Sequence, residues 1–396
     1  MKISVYAIAK NEEKFVDRWV DSMREADCIC VMDTGSTDAT VERLADRGVI
    51  VRREMVSPWR FDVARNRSMN LIPADTDICV CTDLDEIFRP GWRDLLERAW
   101  TPGTEQLRYT YIWNFNGRGD PGTVFLYEKI HAPGVFEWEH PVHEVLRRTD
   151  GRCSWGRAEE PGIVLEHHPD KAKSRAGYLA LLELSVKEAP EDDRNAHYLG
   201  REYMFWGRWD DAIRQLKAHL AMPAARWEPE RCASMRFLSR CYLQKGEKRE
   251  AMRWALRAVA EAPQLREPWV QAQEAAYAME DWEGTVYFGW KAVQIQHKSG
   301  TYINEDAAWG AYPWDAMAYA YYKKGNIHQA IQATLRALAE EPDNQRMKGN
   351  LEFYHGAPAR ARREALSRRE QHGWTGERAS AGQQSGVCED KGGVGR

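Results

Sequence analysis

The 396-residue sequence lacks several features that mark membrane, secreted or nucleic-acid-binding proteins. It has no run of about 18 apolar residues, so we expect no membrane span. The N-terminus, MKISVYAIAKNEE, has no signal-peptide core or cleavage site. The 56 basic residues are outnumbered by 60 acidic ones, and the net charge of −4 gives no positive field to attract nucleic acid or acidic lipid.

The cysteines do not form a zinc-binding pattern. Cys28 and Cys30, like Cys79 and Cys81, are separated by one residue within apolar runs. Alternation along a strand places both thiols of such a pair on one face of a sheet. We interpret them as buried free thiols in a reducing compartment, which favours a cytoplasmic protein.

The first third of the chain alternates β-rich runs with helical segments, which is typical of an α/β fold with parallel strands. The pattern predicts strands at 3–9, 28–32, 49–52 and 78–82, and helices at about 12–25, 37–47 and 61–71. In such sheets ligands bind at the carboxyl ends of the strands. Polar residues that follow these strands, Asn11, Asp33 and Asp83, are therefore candidates for a binding site.

From residue 175 the pattern is helical and repetitive, with four units of which the third is the weakest. The corresponding positions Gly200, Ser239, Gln273 and Ala318 are 39, 34 and 45 residues apart. A period of 34 with small residues where helices cross is typical of tetratricopeptide repeats, and the longer offsets predict insertions. We predict an α/β domain at 1–172, helical repeats at 173–354, and a charged helix with a disordered tail at 355–396.

Two carboxylates follow the apolar strand at 78–82, in the segment CTDLDE. Asp83 and Asp85 are two residues apart, so at a strand end both can point to one side. Paired hard oxygen ligands suit Mg²⁺ or Mn²⁺ that bridges phosphates. Acids with this spacing are also common on loops, and the position after a buried strand is what favours a metal site.

Asp33 lies in a second motif, VMDTGSTD, at the end of a predicted strand. Its carboxylate would accept hydrogen bonds from a ribose or base, or, as the alternative, from the backbone of its own turn.

Four blocks resemble, in order and spacing, the N-terminal pattern of family-2 glycosyltransferases: IAKNEE, VMDTGSTDAT, FDVARNRSMN and CTDLDEIF. The resemblance is close over residues 1–90 and looser to about 170. With the downstream repeats, the chain resembles the subgroup that includes sublancin-type peptide S-glycosyltransferases. This implies a GT-A fold, an α/β domain with a Rossmann-like mixed sheet, followed by an all-α repeat domain.

The resemblance implies an inverting hexosyltransferase that uses a nucleotide-sugar donor, with UDP favoured. Ala9, Asn11 and Glu13 would lie near the base and ribose, and Asp33 would hold one of them. Arg65 would approach the nucleotide or diphosphate, for which its charge and planar fork are suited.

The resemblance also implies a metal centre and a general base. Asp85 would be the principal ligand of Mn²⁺ or Mg²⁺, Asp83 would assist through metal, water or ribose, and the ion would neutralise the departing diphosphate. One residue of the pair His167–His168, here taken as His167, would complete the metal shell, because adjacent residues of a strand face opposite ways. The acceptor would be deprotonated in the segment WEHPVHE, where the base is Glu144 next to His143, with Glu139 as the second candidate.

Tryptophan is in excess, with 17 Trp and 16 Tyr beside only 10 Phe. Most of the tryptophans at 209–314 fall where large side chains fill the cores of helix pairs. Three others, Trp59, Trp113 and Trp138, stay candidates for stacking on a sugar or acceptor, with core packing as the alternative.

The acceptor and partners are open at this point. The repeats would hold a peptide, protein or glycan acceptor or mediate self-association into a homodimer, and a modified nucleobase acceptor is a further alternative. Two other functions compete: a repeat scaffold with an inactive GT-A domain, and a sugar-nucleotide nucleotidyltransferase. The second calls for a Gly-rich phosphate loop after the first strand, and IAKNEEKF has no glycine.

Overall fold

A computed structural model describes residues 1–170 and 177–356 of the protein. The chain divides into two compact units. Within the described residues, the first comprises Met1–Ala189 with the short segment Gly300–Tyr302, and the second comprises Pro190–Ser299 and residues 303–356. Of the charged helix and disordered tail predicted at 355–396, residues 357–396 lie outside the described residues, and the predicted domain limits stay a prediction.

The first unit is built on a mixed sheet of eight strands, with a separate two-stranded sheet. The order in the large sheet is β3-β2-β1-β4-β7-β6-β10-β5, and β8 pairs with β9. The strands are β1 (Ile3–Ala9), β2 (Cys28–Asp33), β3 (Ile50–Arg53), β4 (Ile78–Cys81), β5 (Glu86–Phe88), β6 (Gln106–Ile112), β7 (Val124–His131), β8 (Phe136–Glu139), β9 (Val145–Arg148) and β10 (Arg157–His167).

The helices of the first unit follow from apolar positions at helical spacing. Val16, Trp19, Val20 and Met23 are all buried, so one face of the first helix packs on the sheet. The helices are α1 (Val16–Met23), α2 (Thr40–Asp46), α3 (Phe61–Met69), α4 (Trp92–Ala99) and α5 (Tyr178–Glu188). The α/β architecture predicted for this region is confirmed, and most of the predicted elements end within a few residues of the observed ones.

The strand directions bring the candidate residues to one edge of the sheet. β1 is parallel to β2 and β4, whereas β7 runs antiparallel to β4 and to β6. β10 is parallel to β6, so both point the same way as β1, β2 and β4. The ends of β2 and β10, at Asp33 and His167, therefore lie on the same edge as the segment that follows β4.

The second unit consists of helical hairpins, which confirms the predicted repeats. Four pairs, α6–α7, α8–α9, α10–α11 and α13–α14, make extensive contacts. The helices are α6 (Asp193–Phe205), α7 (Trp209–Ala221), α8 (Glu228–Gln244), α9 (Lys248–Glu261), α10 (Arg266–Ala278), α11 (Trp282–Gln294), α12 (Asp306–Trp309), α13 (Tyr312–Lys323), α14 (Ile327–Glu340) and α15 (Gln345–Gly356). Gly200 lies at a helix crossing, where an added Cβ would be 2.6 Å from Leu216 Cδ2.

Among the helices of residues 1–170 and 177–356, none combines the length and the apolar character needed to cross a membrane.

The turn inside the third hairpin explains why that repeat is the weakest in sequence. In the other three hairpins the turn residue has a positive φ and is Gly207, Gly246 or Gly325. In the third, the non-glycine residue Glu280 adopts φ 60° at this place. A side chain in this backbone region is strained, whereas glycine is not.

We expect Glu280→Gly to raise the free energy of unfolding by about 0.5–1 kcal/mol, because the relief of strain exceeds the entropy that glycine adds to the unfolded chain. Urea unfolding of the full chain measures the change. Gly246→Ala, which adds a side chain at the matching turn position, should destabilise the protein. Equal stability of Glu280→Gly and the unsubstituted chain would contradict the role of the turn.

Candidate active site

Asp33 ends β2 and fixes the turn that follows it. Its side chain is fully buried, and its carboxylate accepts hydrogen bonds from the backbone N–H groups of Gly35 at 3.2 Å and Ser36 at 3.1 Å. Gly35 has φ 108°, which a residue with a side chain rarely adopts. The turn-capping alternative for Asp33 is therefore realised, and contact with a ribose or base stays a prediction.

The loop after β1 braces the loop that follows Asp33. The Asn11 side-chain oxygen accepts a hydrogen bond from the Thr37 N–H at 2.8 Å, and Glu13 Oε2 accepts one from the Ala39 N–H at 3.0 Å. The carbonyl of Ala9 accepts from the Thr34 N–H at 2.8 Å. The three predicted nucleotide-binding residues thus join two neighbouring loops at the site edge, and direct contact with the nucleotide stays a prediction.

The two aspartates after β4 face different partners. Both are nearly buried, with exposed fractions of 6% for Asp83 and 1% for Asp85. Arg65 Nη2 donates to Asp83 Oδ1 at 3.0 Å, and Lys129 Nζ donates to Asp83 Oδ2 at 3.2 Å. Glu86, at the start of β5, accepts from the Asp83 N–H at 2.8 Å and from Lys129 at 3.3 Å. Asp83 is therefore the centre of a buried ionic network.

The two cations of this network are held in the charged state by their carboxylate neighbours. Burial by itself lowers the pKa of Lys129, but Asp83 and Glu86 outweigh it, and the net effect raises that pKa. The pKa of Arg65 is raised in the same way, because Asp83 and Glu144 outweigh the burial. Sequence reasoning missed Lys129, although a lysine at an inward position of the apolar strand β7 is a signal of such a network.

Asp85 faces His167, whose exposed fraction is 1%. The Nε2 atom of His167 lies 3.5 Å from Asp85 Oδ2. His167 Nδ1 lies 2.9 Å from the carbonyl oxygen of Trp113, which can only accept, so Nδ1 carries the proton. In the neutral ring the lone pair of Nε2 is then directed toward Asp85, and within the described residues this nitrogen makes no hydrogen bond.

This pair fits a divalent metal ion such as Mn²⁺. A buried carboxylate and an imidazole nitrogen are both ligands of such ions, and the carbonyl that fixes Nδ1 is the usual outer partner of a metal-binding histidine. The neighbouring His168 is directed elsewhere, with its Nε2 3.1 Å from Glu166 Oε2. The two histidines therefore face different partners, as their alternation along the strand predicts.

Glu144 is joined to the aspartate segment by a single guanidinium. It lies in the loop between β8 and β9, with an exposed fraction of 3%, and Arg65 Nε donates to its Oε1. The same Arg65 contacts Asp83, so the acceptor-side carboxylate and the strand-end aspartate share one cation. His143, with an exposed fraction of 1%, adopts φ 54°. The second candidate, Glu139, instead pairs with Arg147 at 2.7 Å near the surface.

Three residues predicted to contact the donor or acceptor are buried in the structure. Arg65 is 1% exposed and engaged by carboxylates, and its contact with the nucleotide or diphosphate stays a prediction. Trp113 and Trp138 are 5% and 4% exposed. The Trp138 indole N–H donates to the Tyr6 hydroxyl at 2.8 Å, and its ring lies 5.2 Å from the Arg65 guanidinium carbon. Both indoles pack in the interior, while Trp59 is partly exposed beside Phe61, with ring centres 5.1 Å apart.

Two family models match separate parts of the chain. Residues 4–119 match the model described as glycosyl transferase family 2. Residues 269–357 match the model of the prolyl 4-hydroxylase peptide-substrate-binding domain, a tetratricopeptide-type fold. No curated protein matches the chain.

Solved structures match each part of the chain separately. MamA is 18% identical, covers 43% of this chain and 91% of its own, and has a TM-score of 0.36. YrrB, a tetratricopeptide protein with an unusual peptide-binding site, is 12% identical, covers 43% and 80%, and has a TM-score of 0.35.

Glucosyl-3-phosphoglycerate synthase from Mycobacterium tuberculosis, in complex with Mn²⁺, UDP and glucosyl-3-phosphoglycerate, is 28% identical. The match covers 29% of this chain and 45% of the synthase, with a TM-score of 0.25. The resemblance inferred from the four sequence blocks agrees with the family match. The chain carries a glycosyltransferase family 2 domain at its N-terminus, followed by a tetratricopeptide-type repeat domain.

Proposed function

We propose that the protein is an inverting, metal-dependent hexosyltransferase that takes a sugar from a nucleotide-sugar donor, with UDP as the favoured nucleotide. The family match supports glycosyl transfer in general. The observation that supports the finer proposal is the convergence of two buried groups at one sheet edge. These are the Asp85–His167 pair, with atoms 3.5 Å apart, and the Asp83–Arg65–Glu144 network.

Asp85 and His167 would hold Mn²⁺ or Mg²⁺ at this edge. When bound, the ion supplies a positive charge that stabilises the departing diphosphate. Asp83 would act differently from Asp85, because its carboxylate is engaged by Arg65 and Lys129. We assign it to hold the segment after β4 in the conformation that directs Asp85 toward His167.

Glu144 would accept the proton of the acceptor nucleophile. As the acceptor's oxygen, sulfur or nitrogen bonds to the anomeric carbon, its proton passes to the Glu144 carboxylate and the bond to the diphosphate breaks on the opposite face. Arg65 contacts Glu144 through Nε and is a positioning residue in this scheme. Asn11 is hydrogen-bonded to Ser36 and Thr37 in the loop that follows Asp33. These contacts fix the loop and support binding of the nucleoside next to Asp33.

The acceptor that we favour is a peptide or protein held by the helical repeats. The family model that matches residues 269–357 is described as a peptide-substrate-binding domain, which supports this assignment. A glycan acceptor and self-association of the repeats are the alternatives.

The test is a panel of UDP- and GDP-sugars, incubated with the full chain and Mn²⁺ or Mg²⁺ while nucleotide release is followed. We expect release with one donor, and a rate at least about 100-fold lower for Asp85→Asn, because the charge of the metal ligand is lost. Asp46→Asn, the same change at an exposed position of α2, should keep the full rate. Absence of both donor binding and turnover in the unsubstituted chain would exclude the proposal.

A further inference from the structure

Three ionisable side chains meet in the repeat unit, outside the site described above. Asp193 lies in the first turn of α6, His219 in the last turn of α7, and Glu230 in the first turn of α8. Short connections make consecutive helices antiparallel, so these three helix ends lie at the same end of the stack. The exposed fractions of the side chains are only 1%, 0% and 3%.

The geometry of this cluster matches a metal site. One ligand atom from each of Asp193, His219 and Glu230 lies within 4.8 Å of the others, and His219 Nε2 is 3.4 Å from Glu230 Oε1. Two carboxylate oxygens and one imidazole nitrogen form a mixed oxygen and nitrogen ligand set, which suits a divalent transition-metal ion placed between the three atoms.

A hydrogen-bonded chain fixes the ring of His219. Ser234 Oγ lies 2.9 Å from His219 Nδ1 and 2.8 Å from His197 Nδ1. The hydroxyl of Ser234 has one proton, so it donates to one ring and accepts from the other.

The direction of this chain decides what His219 presents to the carboxylates. When Ser234 donates to His197, His219 donates from Nδ1 and its Nε2 lone pair faces Glu230. In the reverse direction Nε2 carries a proton, which would have to reach Glu230 Oε1 at 3.4 Å, and Nε2 makes no hydrogen bond within the described residues. A metal-bound histidine typically donates its other ring N–H to a nearby acceptor, as the first direction requires.

We propose that Asp193, His219 and Glu230 bind one divalent transition-metal ion, with Zn²⁺ preferred. One imidazole and two carboxylates suit Zn²⁺, whereas Ca²⁺ and Mg²⁺ prefer oxygen ligands throughout. The ligands come from three successive helices, so the ion joins the first helical hairpin to the second. The site is structural and separate from the metal site that we propose for Asp85.

The test uses the full chain carrying Asp85→Asn, so that the proposed catalytic metal site does not contribute. After treatment with a chelator, zinc binding is measured by equilibrium dialysis and mass spectrometry of the metal. We expect one Zn²⁺ per chain. Glu230→Gln and Asp193→Asn should each weaken binding by about 100-fold or more, and Ser234→Ala by roughly 10–100-fold through loss of the ring's orientation.

Glu228→Gln is the matched control, since it makes the same change in the first turn of α8, where Glu228 accepts a hydrogen bond from Gln264 instead. It should bind zinc as the Asp85→Asn chain does, and zinc should raise the Tm of both. Circular dichroism of the metal-free variants checks folding. If Glu230→Gln and Asp193→Asn fail to fold, Ser234→Ala decides the outcome.

Two results would overturn the proposal. The first is an Asp85→Asn chain that binds no zinc and shows no rise in Tm. The second is a set of Glu230, Asp193 and Ser234 variants that bind zinc as tightly as Glu228→Gln. In either case the direct contact of His219 with Glu230 accounts for the cluster without a metal ion.

Discussion

Arg65→Met should lower the free energy of unfolding by about 3–5 kcal/mol, because two buried carboxylates lose their shared cation. Arg65 Nη2 lies 3.0 Å from Asp83 Oδ1, its Nε donates to Glu144, and its guanidinium is 1% exposed. Methionine fills similar space but supplies no charge and no hydrogen bond. Urea unfolding of the full chain, followed by circular dichroism, measures the loss.

Arg67→Met is the control for this prediction. Arg67 lies on the same helix, is exposed, and pairs with Glu54 at 3.0 Å on the surface. Exposed ion pairs contribute about 0–1 kcal/mol, so this variant should unfold close to the unsubstituted chain. Arg65→Lys keeps the charge but not the planar fork, and we expect an intermediate loss. If Arg65→Met is no less stable than Arg67→Met, the network does not depend on Arg65.

The sequence predicts the sheet well because its signals are local. β1 is found at Ile3–Ala9 as predicted, and the predicted strands at 28–32 and 78–82 each end within one residue of β2 and β4. Short apolar runs bounded by polar turns identify such strands without knowledge of the rest of the fold. The convergence of Asp33 and the segment after β4 at one edge then follows from parallel pairing.

The partners of the site residues were not predictable in the same way, because they are distant in sequence. Arg65 is separated from Asp83 by 18 residues and from Glu144 by 79. The resemblance to family-2 glycosyltransferases places Arg65 near the nucleotide or diphosphate, and nothing in the polar helix sequence FDVARNRSM indicates that its side chain is buried. Only the tertiary pairing shows that the guanidinium is buried between two carboxylates.

The third repeat was difficult to recognise for another reason, because it lacks the glycine that marks the turn in the other repeats. Its turn has the same positive φ as the others, yet Glu280 replaces the expected glycine. The repeat signature expects a glycine in this turn, so it matches the third unit poorly. The α10–α11 hairpin nevertheless forms like its neighbours. Backbone conformation is set here by the packing of the hairpin and not by the residue in the turn.

Glu144→Gln should lower the rate of nucleotide release by about 10²–10⁴-fold, since an amide cannot accept the proton of the nucleophile. The substitution keeps the size of the side chain, and the amide oxygen can still accept a hydrogen bond from Arg65 Nε. Donor affinity should be unchanged, because the donor is assigned to the Asp33 and Asp85 side of the site. Release is measured with water or a peptide as acceptor, and donor binding by calorimetry.

Glu139→Gln gives the matched comparison, because Glu139 is the second candidate for the base in the same segment. Its carboxylate pairs with Arg147 at 2.7 Å and is 40% exposed, so we expect a nearly normal rate. A large loss in Glu139→Gln together with normal release in Glu144→Gln would transfer the role to Glu139. Loss of donor binding in Glu144→Gln would instead mean that the carboxylate supports the donor site through Arg65 and Asp83. Glu144→Gln and Glu139→Gln together distinguish two roles of Glu144. One is to accept the proton of the nucleophile, and the other is to hold the donor site in place through Arg65 and Asp83.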